Sequence, residues 1–123
     1  MLMKTVLAAG LAAMGAAAAA APPAWEGRWA MNSAWCAKQS DVEDESPDYY
    51  GVDGFYGQEW GCEILNIQET GLKNSWSLKL ECSLPGETWE EERLMLLTSF
   101  DRLMFVFTSG DMFDLVRCPA LPE

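Results

Sequence analysis

The chain has no histidine, and only eight basic residues stand against nineteen acidic ones in 123. Without histidine there is no Ser-His-Asp or Cys-His nucleophile system and no imidazole metal site. The shortage of Lys and Arg argues against nucleic acid and against anionic lipid, because both are held through cationic side chains. No basic stop-transfer cluster follows the apolar start of the chain, which argues against a membrane anchor. The first cysteine, Cys36, lies well past that start, so a lipidated N-terminal cysteine is not expected.

What is present at the start is an address. Met1-Leu2-Met3-Lys4 carries one positive charge, and an apolar run rich in Ala, Leu and Gly follows from Val6 to Ala21. Small residues close it just before Pro22-Pro23. These are the three parts of a secretory signal peptide. Residues 1–20 are read as that signal, with cleavage after Ala20, and residues 21–123 as a single periplasmic or secreted domain. Export makes the four cysteines candidate disulfides and leaves no free thiolate once all are paired. Loss of Lys4 leaves seven basic residues against nineteen acidic, a balance of −12. Such a charge permits a basic partner, for instance a basic envelope protein. The plainer reading is a charge that keeps the protein dispersed.

The remaining pattern is β. Trp25 to Ala30 reads as a first short strand. Asn32 or Ser33 is placed to cap a brief helical turn through Trp35-Cys36-Ala37-Lys38. Asp41 to Gly57 shows neither periodicity and reads as an acidic, Tyr- and Gly-rich loop. Strands are expected at 62–68, 75–82, 89–98, 103–108 and 112–118, separated by turn residues at short spacing. Six strands in antiparallel order predict an all-β meander, a small barrel or a sandwich.

Folding 62–68 onto 75–82 about their turn brings Cys62 opposite Cys82, on one face, where a bridge can form. Cys36 and Cys118 are left to pair and would tie the start of the domain to its last strand. The last two hairpins carry a different signal. Pairing them through two-residue turns puts Leu94, Leu96, Leu103, Phe105, Phe107, Met112 and Val116 on one face. Met95, Leu97, Met104, Val106, Phe113 and Leu115 fall on the other. Both faces are apolar, so the outer one needs a cover: the N-terminal turn, the Tyr-rich loop or a second copy in a homodimer.

Trp25-x-Gly-x-Trp29-Ala, Cys36, Glu59-x-x-Cys62-x-Ile64, Trp76-x-Leu to Cys82, and Arg117-Cys118 together resemble small exported four-cysteine proteins of Gram-negative bacteria. That resemblance implies export and bridging and brings no activity with it. Gly27-x-Trp29 with Arg117 also resembles the calycin-type barrels, which include lipocalins and bacterial metalloprotease inhibitors. It implies a first-strand tryptophan packed near an arginine of a late strand. Six visible strands are fewer than a lipocalin's eight, and the chain is short for a roomy cavity.

Three groups are candidates for function. Tyr49, Tyr50, Phe55, Tyr56 and Trp60 form an aromatic cluster suited to anchoring a partner, or to folding back as a lid. Asp41, Glu43, Asp44, Glu45 and Asp48 offer hard oxygen ligands for Ca²⁺, but the run lacks the glycine and closing glutamate of an EF-hand, so a solvated acidic loop is the simpler reading. Glu90-Glu91-Glu92 splits between two faces and reads as strand-edge charge, not a paired acid and base. No catalytic residue, metal or cofactor is expected. The leading expectation is a non-enzymatic binding protein, an inhibitor of an envelope hydrolase being one form. A calycin-type small-ligand binder and an envelope structural or assembly factor are the alternatives.

Overall fold

The computed structural model describes residues 21–38 and 45–120. Eight antiparallel strands close into one barrel in sequence order. They are β1 (Gly27–Ala30), β2 (Asp48–Gly51), β3 (Gly54–Gly57), β4 (Trp60–Glu69), β5 (Ser75–Leu84), β6 (Glu87–Ser99), β7 (Arg102–Phe107) and β8 (Met112–Arg117). Closure pairs every strand on both sides, so no exposed sheet edge remains. A short 3₁₀ turn, Ser33–Ala37, follows β1, and the Asn32 side chain caps it by accepting from the Ala34 amide at 3.0 Å. We call the end carrying the β3–β4, β5–β6 and β7–β8 turns the upper end.

Two expected features change. The chain forms eight strands where six were visible. Asp48 to Gly57, read as part of a loop, is the β2–β3 hairpin, with Tyr49 opposite Tyr56 and Tyr50 opposite Phe55. These strands are four residues each, and Gly51, Gly54 and Gly57 interrupt them. An alternation that short, broken by glycine, leaves no period to read. Residues 39–44, including Asp41, Glu43 and Asp44, lie outside the described residues, as does the expected signal at 1–20.

The faces of the last hairpins also differ. A two-residue turn does join β6 to β7, pairing Ser99 with Arg102. A bulge between Leu97 and Ser99 then slips the register by one, so that Leu97 meets Leu103 and Met95 meets Phe105. An extra residue in one strand moves a whole side-chain set to the opposite face. At the β7–β8 turn a three-residue loop, not a two-residue one, pairs Val106 with Met112 and Phe105 with Phe113. The inward set is therefore Met95, Leu97, Leu103, Phe105, Phe107, Phe113 and Leu115. Leu94, Leu96, Met104, Val106 and Val116 face out and are half-buried, with Met112 exposed beside them.

The interior is filled. Trp29, Phe55, Phe105, Leu78, Leu80, Met95 and Leu103 are fully buried in one cluster with Trp25, Tyr50 and both Cys62 and Cys82. Both disulfides form as the register requires: Cys62–Cys82 across β4 and β5, and Cys36–Cys118. The second spans the weakest join. β1 meets β8 through only two residue pairs, Trp29 with Arg117 and Ala30 with Val116. Around it, the Arg28 guanidinium donates to the Pro119 and Cys36 carbonyls at 3.0 and 3.2 Å. Arg117 donates to the carbonyls of Glu26, Ala24 and Phe100 at 2.7, 2.8 and 2.8 Å. Covalent and charge-assisted bonds thus do there what the ladder is too short to do.

Candidate functional site

The pleat splits the aromatic cluster. Tyr50 and Phe55 point inward, 4.6 Å apart between ring centres, and are core residues, not partner anchors. Burial carries the Tyr50 hydroxyl well above the ordinary phenol range, with the Asp48 charge adding to it and Arg93 opposing it. Tyr49 and Tyr56 point outward and are 47% and 44% exposed. The Tyr49 hydroxyl donates to Glu26 at 2.8 Å, and that bond raises its pKa. Tyr56 is thus the exposed tyrosine of the hairpin that borders open space.

That space is a groove of about 680 Å³ on the outer face of β3, β4 and β5, toward the upper end. Its floor follows from register: Tyr56 pairs with Gly61, Gly61 with Ser83, and Ser83 with Thr88. Side chains at three successive outward positions are small or absent, so the sheet dips there. A side chain at Gly61 would meet the Tyr56 ring, its Cβ lying 2.9 Å from Cδ1. Tyr56 borders the groove from the outer face, while Trp60 packs against the core and reaches the lining from the β3–β4 turn. Glu59, Glu63 and Glu81 supply carboxylates, and among the described residues the lining contains no Lys or Arg. Glu63 and Glu81 are direct cross-strand partners, a like-charge pairing that costs stability unless something positive lies over it.

A second cavity, of about 190 Å³, shares Glu59 and Trp60 with the groove and adds Ser46, Asp48 and Gln58. Gly57 lets two of the cavity's lining side chains sit against the backbone, since a Cβ there would overlap both the Trp60 indole nitrogen and the Asp48 carboxylate. Glu59 takes a left-handed φ of 63°, uncommon for a residue with a side chain. Burial pushes the Asp48 carboxyl up to about 6. The Gln58 Oε1 atom is buried and has no hydrogen-bond partner among the described residues.

Of the acidic run considered for Ca²⁺, Glu45 reaches Lys38 at 3.8 Å and Asp48 lines the small cavity. Among the described residues no three His, Cys, Asp or Glu side chains cluster as metal ligands. The Glu90–Glu92 run is not at an edge, because β6 is paired on both sides. Glu90 reaches Lys79 at 3.7 Å, while Glu91 faces the barrel interior. There Glu91 Oε2 accepts from Arg93 Nε at 2.6 Å, and its other oxygen accepts from the Trp89 indole at 2.8 Å. Burial acts to raise the Glu91 pKa, but the Trp89 and Arg93 contacts outweigh it and hold the carboxyl below its usual range. The Arg93 guanidinium lies 4.9 and 4.7 Å from the centres of the Phe105 and Phe107 rings. Sequence reasoning missed this pair; its signal was the i, i+2 spacing that puts Glu91 and Arg93 on one strand face. It missed the groove too, whose signal was Gly61, directly after Trp60 and opposite Tyr56 in register.

Among the described residues no helix is long and apolar enough to cross a membrane. The Trp29 ring lies 4.4 Å below the Arg117 guanidinium, the contact that the calycin resemblance implied. No family model, no curated protein and no solved structure matches the chain.

Proposed function

We propose that this is an exported, non-enzymatic binding protein that takes a basic segment of another protein into the groove beside Tyr56 and Trp60. The single observation that carries the reading is the exposed Tyr56 ring beside three carboxylates in a groove that no cation lines among the described residues. Aromatic faces and carboxylates attract the same ligand, a Lys or Arg side chain. The net charge of the chain attracts such a partner from a distance. Two disulfides suit an oxidising compartment, and with the N-terminal signal pattern they support a periplasmic or secreted location. Inhibition of an envelope hydrolase is one concrete form, if the basic segment borders that enzyme's active site.

Calycin-type ligand binding is the second reading. The Trp29–Arg117 contact favours it, but the barrel interior is occupied by aromatic and aliphatic side chains. A structural role through the outer face of β6–β8 would use Leu94, Leu96, Met104 and Val106.

Titration of isotope-labelled protein with a short Lys-Ala repeat peptide separates the three. The proposal expects amide shifts at Tyr56, Gly61 and Ser83 that fade with added salt. Shifts confined to β6–β8, or none with any basic peptide, would overturn it.

A further inference from the structure

The small cavity beside the groove has features the groove does not need. It shares two lining residues, Glu59 and Trp60, with the groove, and three residues of its lining, Asp48, Gln58 and Glu59, carry side-chain acceptors. The Gln58 oxygen is buried without a partner among the described residues. A buried acceptor in that state is costly, and a donor entering the cavity would remove the cost. At about 190 Å³ the cavity is smaller than the pockets that hold whole small-molecule ligands, but it admits one slender side chain.

We propose that this cavity receives a single primary ammonium group, the end of one lysine side chain from the basic segment lying in the groove. The inference rests on the groove reading above. An ammonium carries three donors directed apart, matching acceptors offered from three side chains, and a compact head at the end of a thin stem. A guanidinium is planar and wider, and its preferred partner is one carboxylate met edge-on by two N–H groups, whereas the acceptors of this lining come from three separate residues. Trp60 lines both spaces, and its ring would offer the methylene stem an apolar surface, where an amphipathic side chain buries its apolar part. Arginine is therefore held in the groove and lysine reaches through it.

The test uses the mature protein and two peptides of equal length and charge, one Lys-Ala and one Arg-Ala, with n-butylammonium chloride as a third probe. Readouts are the Gln58 side-chain amide, the Trp60 indole N–H and the Gly61 amide resonances. Both peptides should shift Gly61. Only the lysine peptide and n-butylammonium should shift Gln58 and the Trp60 indole, and the lysine peptide should bind about tenfold more tightly than the arginine one. Asp48→Asn should abolish that preference and leave the arginine peptide unaffected, and Gln58→Leu should reduce it. If both peptides shift Gly61 but bind equally and leave Gln58 unmoved, the ammonium pocket is wrong and the groove reading survives. If neither peptide shifts Gly61, the groove reading fails, and n-butylammonium alone decides the pocket: a shift at Gln58 supports it and none overturns it.

Discussion

Arg117 and Trp29 lock the first strand of the barrel to the last: the guanidinium carbon lies 4.4 Å from the centre of the indole, and three backbone carbonyls accept from the same side chain. This happens at the β1–β8 join, where only two residue pairs hold the ladder. Arg117→Ala should cost about 3 kcal/mol, from lost charge-assisted bonds and ring contact together. Arg117→Lys should recover less than half of it, because an ammonium does not reproduce the fork. Urea unfolding monitored by tryptophan fluorescence checks both. A loss under about 0.5 kcal/mol for the alanine variant would show the join to be held by the disulfide alone.

The two disulfides should differ in weight. In the chain-entropy model the bridge of sequence separation 82 contributes about 4.5 kcal/mol and the one of separation 20 about 3. The paired Cys36→Ala, Cys118→Ala variant should therefore be the less stable of the two double variants, and it also loses the strap across the short join. Equal midpoints, or the reverse order, would contradict this.

Asp48 should shape the acid limb of stability. Its folded pKa of about 6 lies above the ordinary 3.8, so the folded state keeps a proton that the unfolded chain has already lost. Between pH about 4 and 6 the Asp48 contribution therefore falls as pH rises, and above about 6 it stays unfavourable. Glu91 shifts the other way: its contribution is present above its ordinary pKa of 4.5 and is lost as pH falls below that, so the difference between proteins is the clean reading. Asp48→Asn should be more stable than the parent at pH 7 and should converge on it near pH 4. Parallel stability curves would mean that the carboxylate is well solvated.

Removing one member of the inward-facing Glu91–Arg93 pair should cost more than removing both. Glu91→Ala leaves a guanidinium without its carboxylate inside the barrel, a change worth about 3 kcal/mol or more. Replacing both with Leu and Met should recover most of that in calorimetry. If the double variant is the least stable, the pair contributes net stability in its own right.

Much of the fold was legible because β5 alternates without interruption and its partner β4 carries a cysteine at the matching register. From those two strands alone, Cys62 and Cys82 had to meet. The β2–β3 hairpin was not legible, because three glycines occupy positions where a period would show. One of those glycines also serves the site: Gly57 lets Trp60 and Asp48 pack against the backbone, and Gly61 of β4 floors the groove. The side-chain faces of β7 and β8 were misread for a different reason. One bulge residue and one extra loop residue each shift parity, and neither leaves a mark in composition. Tyr56 and Trp60 stood out as aromatics, whereas Glu63 and Glu81 became site residues only through register and Gln58 only through its place in the β3–β4 turn.

The central claim is that the groove recognises positive charge, and its most direct measurement is the association rate of a Lys-Ala peptide as a function of salt. Exposed charges govern how fast partners meet, and buried aromatics govern how long they stay. For the parent protein, association should slow steeply with added salt. Replacing Glu59, Glu63 and Glu81 by Gln should slow it several-fold and flatten the salt dependence, while Tyr56→Ala should mainly speed dissociation. Association that is indifferent to salt, or unchanged by the three Gln substitutions, would contradict the account.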